Sequence, residues 1–298
     1  MEFDLEDPLV SLEEEQPFTV SELFASESDH MPSPNYLSLT HFHVFCFEAI
    51  SLILQVKLCL CNRFISPSFV SHLLHFVMFL QVQLSYKLDP FVAYLAINYM
   101  HRFMSSQEIP KGNPWYLRLV VVSCLSLASK MKNTTLPFLE MQKEGCNFKV
   151  QSIHKMEPLI LGALKWRMRS ITPFSFLRFF ISLAEIEDQS LKQALKERAS
   201  TIIFNAQNDI KLLEYKPSTI AATALIIASH ELLPHQYCIL RASIISSEYL
   251  DEETLSKCFD LMQEMIRTVA KELETERWFL RTETPGSVLE RNNKRQRI

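Results

Sequence analysis

The chain has 298 residues, room for one large domain or two of moderate size, and its 48 % apolar and 21 % charged residues are the balance of a globular protein rather than a disordered one. Only 4 glycines are present, too few for the tight turns of a sheet-rich fold or the phosphate-cradling loops of nucleotide enzymes, so a nearly all-helical protein is expected. The net charge of −4 is unevenly spread: residues 1–30 hold ten acids and no lysine or arginine, and the remainder carries +6.

The acidic start, with Glu13, Glu14 and Glu15 in a row, reads as a flexible, largely disordered arm over 1–40, interrupted by the breaker cluster Met31-Pro32-Ser33-Pro34. Helical stripes follow from about 42 to 280. Asp89-Pro90 and Asn113-Pro114 each set a side-chain acceptor at an N-cap and a proline at the first helical position. The helices they open are predicted to run to about 105 and 132. Val92, Leu95, Tyr99 and Phe103 share one face of the first; Leu117, Val120, Cys124, Leu127 and Met131 share one face of the second. Thr172-Pro173 opens another helix. Lys216-Pro217 separates a long helix over about 188–214 from a very apolar one over 217–232, which Pro234 closes. In the last helix Leu255, Phe259, Met262, Ile266, Val269 and Leu273 alternate spacings of four and three.

Two of these helices are alike. VVSCLSLASK (121–130) aligns with AATALIIASH (221–230), matching Leu125 with Leu225, Ala128 with Ala228 and Ser129 with Ser229. Both are apolar with small residues on every side, as a helix surrounded by others must be. Two helical bundles joined near Arg169–Thr172 are therefore predicted, each built around its own central helix.

The seven cysteines (46, 59, 61, 124, 146, 238 and 258) are odd in number and follow no leader-like stretch, so reduced thiols inside a cell are expected. Cys59, Cys61, His72 and His75 miss the usual zinc spacings, and no metal or other cofactor is expected. Phe69–Leu84, about 16 residues with two histidines, falls short of the roughly 20 apolar residues of a membrane span. No basic face for nucleic acid, nucleophile–base pairing or phosphate loop is legible, so the chain is not expected to be an enzyme.

Three blocks then carry a resemblance: Asp89–Ser105 (DPFVAYLAINYMHRFMS), Ser123–Met131 (SCLSLASKM) and Met156–Thr172 (MEPLILGALKWRMRSIT), continued by Pro173–Phe180. Over about 44–280 the sequence resembles the D-type cyclins, most closely the plant kind. The resemblance implies an all-α protein of two tandem five-helix cyclin boxes, 44–168 and 172–276, followed by a short disordered tail at 281–298. It also implies a regulatory subunit that binds and activates a cyclin-dependent protein kinase to promote the G1/S step of cell division, with kinase inhibitors and substrates as further partners and the nucleus, with the cytoplasm, as its place. In that family a lysine late in the third helix and a glutamate in the fifth anchor the kinase, and the motifs put these at Lys130 and Glu157, with Met131, Leu161 and Trp166 as apolar neighbours. A long cation, an acid and a large aromatic suit an apolar contact with a polar guide. Taken without the family, Trp166 and Leu161 could equally be core and Lys130 a solvated helix end.

The chain also departs from the family. Lys132-Asn133 follows Lys130 where relatives have acids, reversing the local charge. Pro158 follows Glu157, and in a helix beginning near Lys149 it is an interior proline, which deletes a backbone bond and costs about 3 kcal/mol unless the helix starts later or bends. The substrate-docking patch of the first helix has Cys46 and Leu52 at the positions of its Arg and Trp, so docking there is degenerate. No Leu-x-Cys-x-Glu is present to hold a retinoblastoma-type protein, as in a divergent plant subgroup. These departures motivate an alternative: a cyclin-fold adaptor that binds a partner without activating a kinase.

Leu54-Gln55-Val56 recurs as Leu80-Gln81-Val82, and removing Val56–Gln81 joins the flanks into an uninterrupted cyclin-like text. Of these 26 residues 16 are apolar and only Lys57 and Arg63 are charged. The segment reads as a translated, retained intron, which makes a non-functional product the further alternative; if it is expressed, an exposed apolar patch and poor solubility are expected. At the far end Arg291, Lys294, Arg295 and Arg297 form a basic cluster compatible with nuclear import, and Thr284-Pro285 fits a proline-directed phosphorylation site.

Overall fold

The computed structural model describes residues 19–33, 90–107, 114–134, 149–184, 186–207 and 209–282. Among them every regular element is a helix. The elements are α1 (Val20–Ser26), continued by a 3-10 turn Glu27–His30, then α2 (Pro90–Ser106), α3 (Pro114–Met131), α4 (Val150–Ala163), α5 (Phe174–Ser182) and α6 (Gln189–Ala206). A second 3-10 turn, Ile210–Glu214, precedes α7 (Pro217–Leu232), α8 (Tyr237–Ile245) and α9 (Glu252–Thr282).

The two similar helices are the two centres. α3 packs against α2 and α4, and Leu119–Ser129 is buried along its whole length. α7 packs against α5, α6, α8 and α9, and every residue from Pro217 to Ser229 except Ile220 is buried. Alanine, serine and threonine on these helices let neighbouring backbones approach closely on all sides, which is why neither has a polar face. The predicted stripe of α2 also faces inward, with Val92, Leu95, Tyr99 and Phe103 all buried. Phe91 and Tyr94 of α2 meet Phe174 of α5 edge-on, with centroids at 5.5 and 5.0 Å, and Phe204 of α6 closes this aromatic joint between the bundles at 4.8 Å from Phe174.

Two expectations are corrected. The arm expected to be disordered over 1–40 folds at Val20–His30. Thr19 and Glu22 form a reciprocal capping box, and Leu23, Phe24, Glu27 and His30 are buried. Phe24 stacks on Tyr249 at 4.1 Å and lies 4.8 Å from Phe176 and 5.4 Å from Phe179, so aromatic burial outweighs the acidic composition of the segment. Glu27, 1 % exposed, accepts from the Ser218 backbone N–H and Oγ, each at 2.9 Å. It thereby satisfies an otherwise orphan donor in the first turn of α7. The long helix expected over 188–214 ends at Ala206, and Asp209 caps a separate 3-10 turn by accepting from the Lys211 N–H at 3.0 Å. The side chain of Asp209 offers the backbone a partner that a continuous helix could not.

α4 begins at Val150, so Pro158 is interior to it. The proline is exposed, and its ring removes the N–H that would otherwise have donated to the His154 carbonyl. Cys124 and Cys258 are buried free thiols and Cys238 an exposed one. Cys46, Leu52, the Val56–Gln81 insert with Cys59, Cys61, His72 and His75, and the basic tail with Arg291, Lys294, Arg295 and Arg297 lie outside the described residues.

Candidate functional site

Lys130 stands in the last turn of α3, where the carbonyl end of the helix favours a cation. Its ammonium reaches both oxygens of Glu157 on α4, at 2.6 and 2.7 Å. Glu157 is only 7 % exposed, and the Ser126 hydroxyl, one helical turn before Lys130, donates to its Oε1 at 2.6 Å. His154 Nδ1 lies 3.5 Å from Oε2 on the solvent side. Burial alone pushes this carboxyl up, but the hydrogen bonds from Lys130 and Ser126 and the charge of Lys130 outweigh it and hold Glu157 below the ordinary carboxylate range. The outcome is a fixed carboxylate at the seam between α3 and α4 with an ammonium half in solvent beside it.

The apolar candidates surround this seam unequally. Met131, 39 % exposed, ends α3, and Leu161 is half-buried one turn after Glu157 on the same side of α4. Trp166 is 71 % exposed, which rules out the core reading for this ring. Lys165 and Trp166 both adopt left-handed backbone, at φ 53° and 59°, a conformation that costs a side-chain-bearing residue about 1–3 kcal/mol. The Trp166 N–H donates to the Leu161 carbonyl at 2.9 Å, closing the end of α4, and the chain then turns so that the ring points outward while Met168 returns to the core. Leu159 is also exposed, but two residues from Glu157 it belongs to another face of α4.

Lys132, the cation expected to reverse the local charge after Lys130, stands over the Phe91 ring. Its ammonium lies 4.5 Å from the centre of the Phe91 ring, turned toward α2. Sequence reasoning missed Ser126 and His154. Each stands at helical spacing, four before Lys130 and three before Glu157, and that spacing was the available signal.

Among the described residues no group of His, Cys, Asp or Glu could hold a metal ion, and no helix is long and apolar enough to cross a membrane. The arrangement presents one ion pair and a few apolar side chains at the seam between α3 and α4.

Residues 55–169 match the model of the cyclin N-terminal domain and 171–279 that of the cyclin C-terminal domain. Cyclin-D6-1 of Arabidopsis thaliana is 41 % identical over 246 residues, 81 % of this chain and 74 % of that protein. Cyclin-D2-1 of Oryza sativa is 38 % identical over 180 residues, 59 % of this chain and 54 % of its own length, so this chain spans only about half of that relative. The X-ray structure of a viral cyclin from herpesvirus saimiri superposes with a TM-score of 0.51 at 20 % identity, covering 76 % of this chain and 97 % of that one.

Proposed function

The chain belongs to the cyclin family, among the plant D-type cyclins, and from that premise we propose that it binds and activates a cyclin-dependent protein kinase to promote the G1/S step. Cyclins are regulatory subunits rather than enzymes, and the chemistry in this reading belongs to the partner. The reading is supported above all by the Lys130–Glu157 pair, a fixed charge guide bordered by Met131, Leu161 and an outward Trp166. An apolar contact with a large aromatic near its centre and a charge-paired guide is how a specific interface is anchored. Kinase inhibitors and substrates are proposed as further partners, and the nucleus, with the cytoplasm, as the place of action, through the basic cluster at 291–297.

The test is co-purification of a plant cyclin-dependent kinase with two versions of the protein, the full chain and one lacking Val56–Gln81, followed by kinase activity of each pair. Kinase retained and activated by the shortened version alone establishes the role and makes the 298-residue form a non-functional product. Retention without activation, or two folded versions that retain no kinase, replaces this reading with that of a cyclin-fold adaptor.

A further inference from the structure

The turn that displays Trp166 is held from two elements distant in sequence. From α2, the Tyr99 hydroxyl donates to the Met168 carbonyl at 2.6 Å, and Arg102 donates to the Arg167 carbonyl at 3.1 Å and to Ser170 Oγ at 2.9 Å. From the N-terminal segment, Asp29 pairs with the Arg167 guanidinium at 2.6 Å. The bonds from α2 lie inside the first bundle. Asp29 instead comes from a stretch otherwise anchored on the second bundle, through Phe24 among Phe176, Phe179 and Tyr249 and through Glu27 on Ser218. His30, buried directly after Asp29, keeps the backbone at the ion pair from swinging free. One short segment thus grips the second bundle at one end and the residue following Trp166 at the other. Two successive left-handed residues persist only where the surroundings over-determine them, so a lost restraint is felt in this turn first.

We propose that Val20–His30 is a positioning element for the kinase-facing surface: docked on the second bundle, it holds Arg167 through Asp29 and so fixes the direction in which Trp166 projects. This rests on the reading of Trp166 as a kinase contact. Asp29 and Arg167 are both about half exposed, so their pairing adds little to global stability, and its effect is local order in the turn.

The experiment compares the full chain with Asp29→Lys and with the double exchange Asp29→Lys, Arg167→Glu. It reads amide hydrogen exchange at 165–170, thermal stability and affinity for a plant cyclin-dependent kinase. The single variant is expected to speed exchange in the turn and weaken kinase binding by about two- to fivefold without moving Tm, and the double exchange to restore both. Unchanged exchange in the single variant overturns the proposal, as does faster exchange with unaltered affinity. A wild-type chain that takes up no kinase overturns it together with the reading beneath it, and a turn that still responds to Asp29→Lys marks that case apart from an uncoupled segment.

Discussion

The Lys132 ammonium sits 4.5 Å from the centre of the Phe91 ring, so the cation that follows Lys130 in sequence is directed toward a neighbouring helix rather than into the Lys130–Glu157 seam. Lys132→Ala is accordingly expected to cost about 0.5–1 kcal/mol of stability, from the lost cation–π contact, and to leave kinase affinity unchanged. Thermal unfolding and a binding titration on the same variant check both halves. A marked gain in affinity would show that Lys132 acts as an opposing charge after all.

Trp166 sets stability against function. Because its ring is exposed and its backbone left-handed, Trp166→Gly relieves strain and gives up little packing, so stability is expected to stay within about 1 kcal/mol of the original or rise. Kinase affinity is expected to fall at least about tenfold, the loss typical of an aromatic anchor. A variant that loses stability and keeps its affinity would place Trp166 among structural residues.

Phe24→Ala tests whether the N-terminal segment is part of the folded body. Truncating a buried phenylalanine costs about 3–5 kcal/mol, and this one packs against four aromatic rings of the second bundle, those of Phe176, Phe179, Phe180 and Tyr249. Denaturant unfolding should show a loss of that order. No change would mean that the segment is undocked in solution.

Two buried histidines tie stability to pH. Burial first, then the charges of Arg102 and Arg167, opposed by Asp29, push His30 down to about 4, and burial alone does the same to His101. The unfolded chain takes up these protons near pH 6.5 and the folded chain only near 4. Stability is therefore complete above about pH 6.5 and is lost progressively as pH falls toward 4, on the order of several kcal/mol for the pair. His101→Gln and His30→Gln should each flatten this slope by about half in unfolding measured across pH 4–7.

Much of the fold was legible because it follows from side-chain size and spacing. A run such as Val120–Ser129 with no polar face can only be a central helix, and Pro90, Pro114 and Pro217 announce their helices by chemistry that acts locally. The acidic arm was misread because composition was weighed over pattern: Thr19 and Glu22 at capping-box spacing, followed at once by Leu23 and Phe24, already spelled a helix start with an apolar face. The end of α6 was missed for a similar reason, since Asp209 offers its side chain to the Lys211 N–H and so opens a separate turn. Within the site, the pairing of Lys130 with Glu157 follows from the packing of α3 on α4, and the turn that carries Trp166 is held by bonds from Tyr99 and Arg102, more than sixty residues away; no local pattern encodes either.

The hydrogen bond from Ser218 to Glu27 spans 191 positions of the chain. At a synthesis rate of roughly 5–20 residues per second, Glu27 is added to the chain about 10–40 s before its partner exists. Phe24 waits longer still, because Tyr249, on which it stacks, is made after Ser218. Until then Leu23 and Phe24 lie on a stretch whose ten acids in thirty residues disfavour its association with other chains.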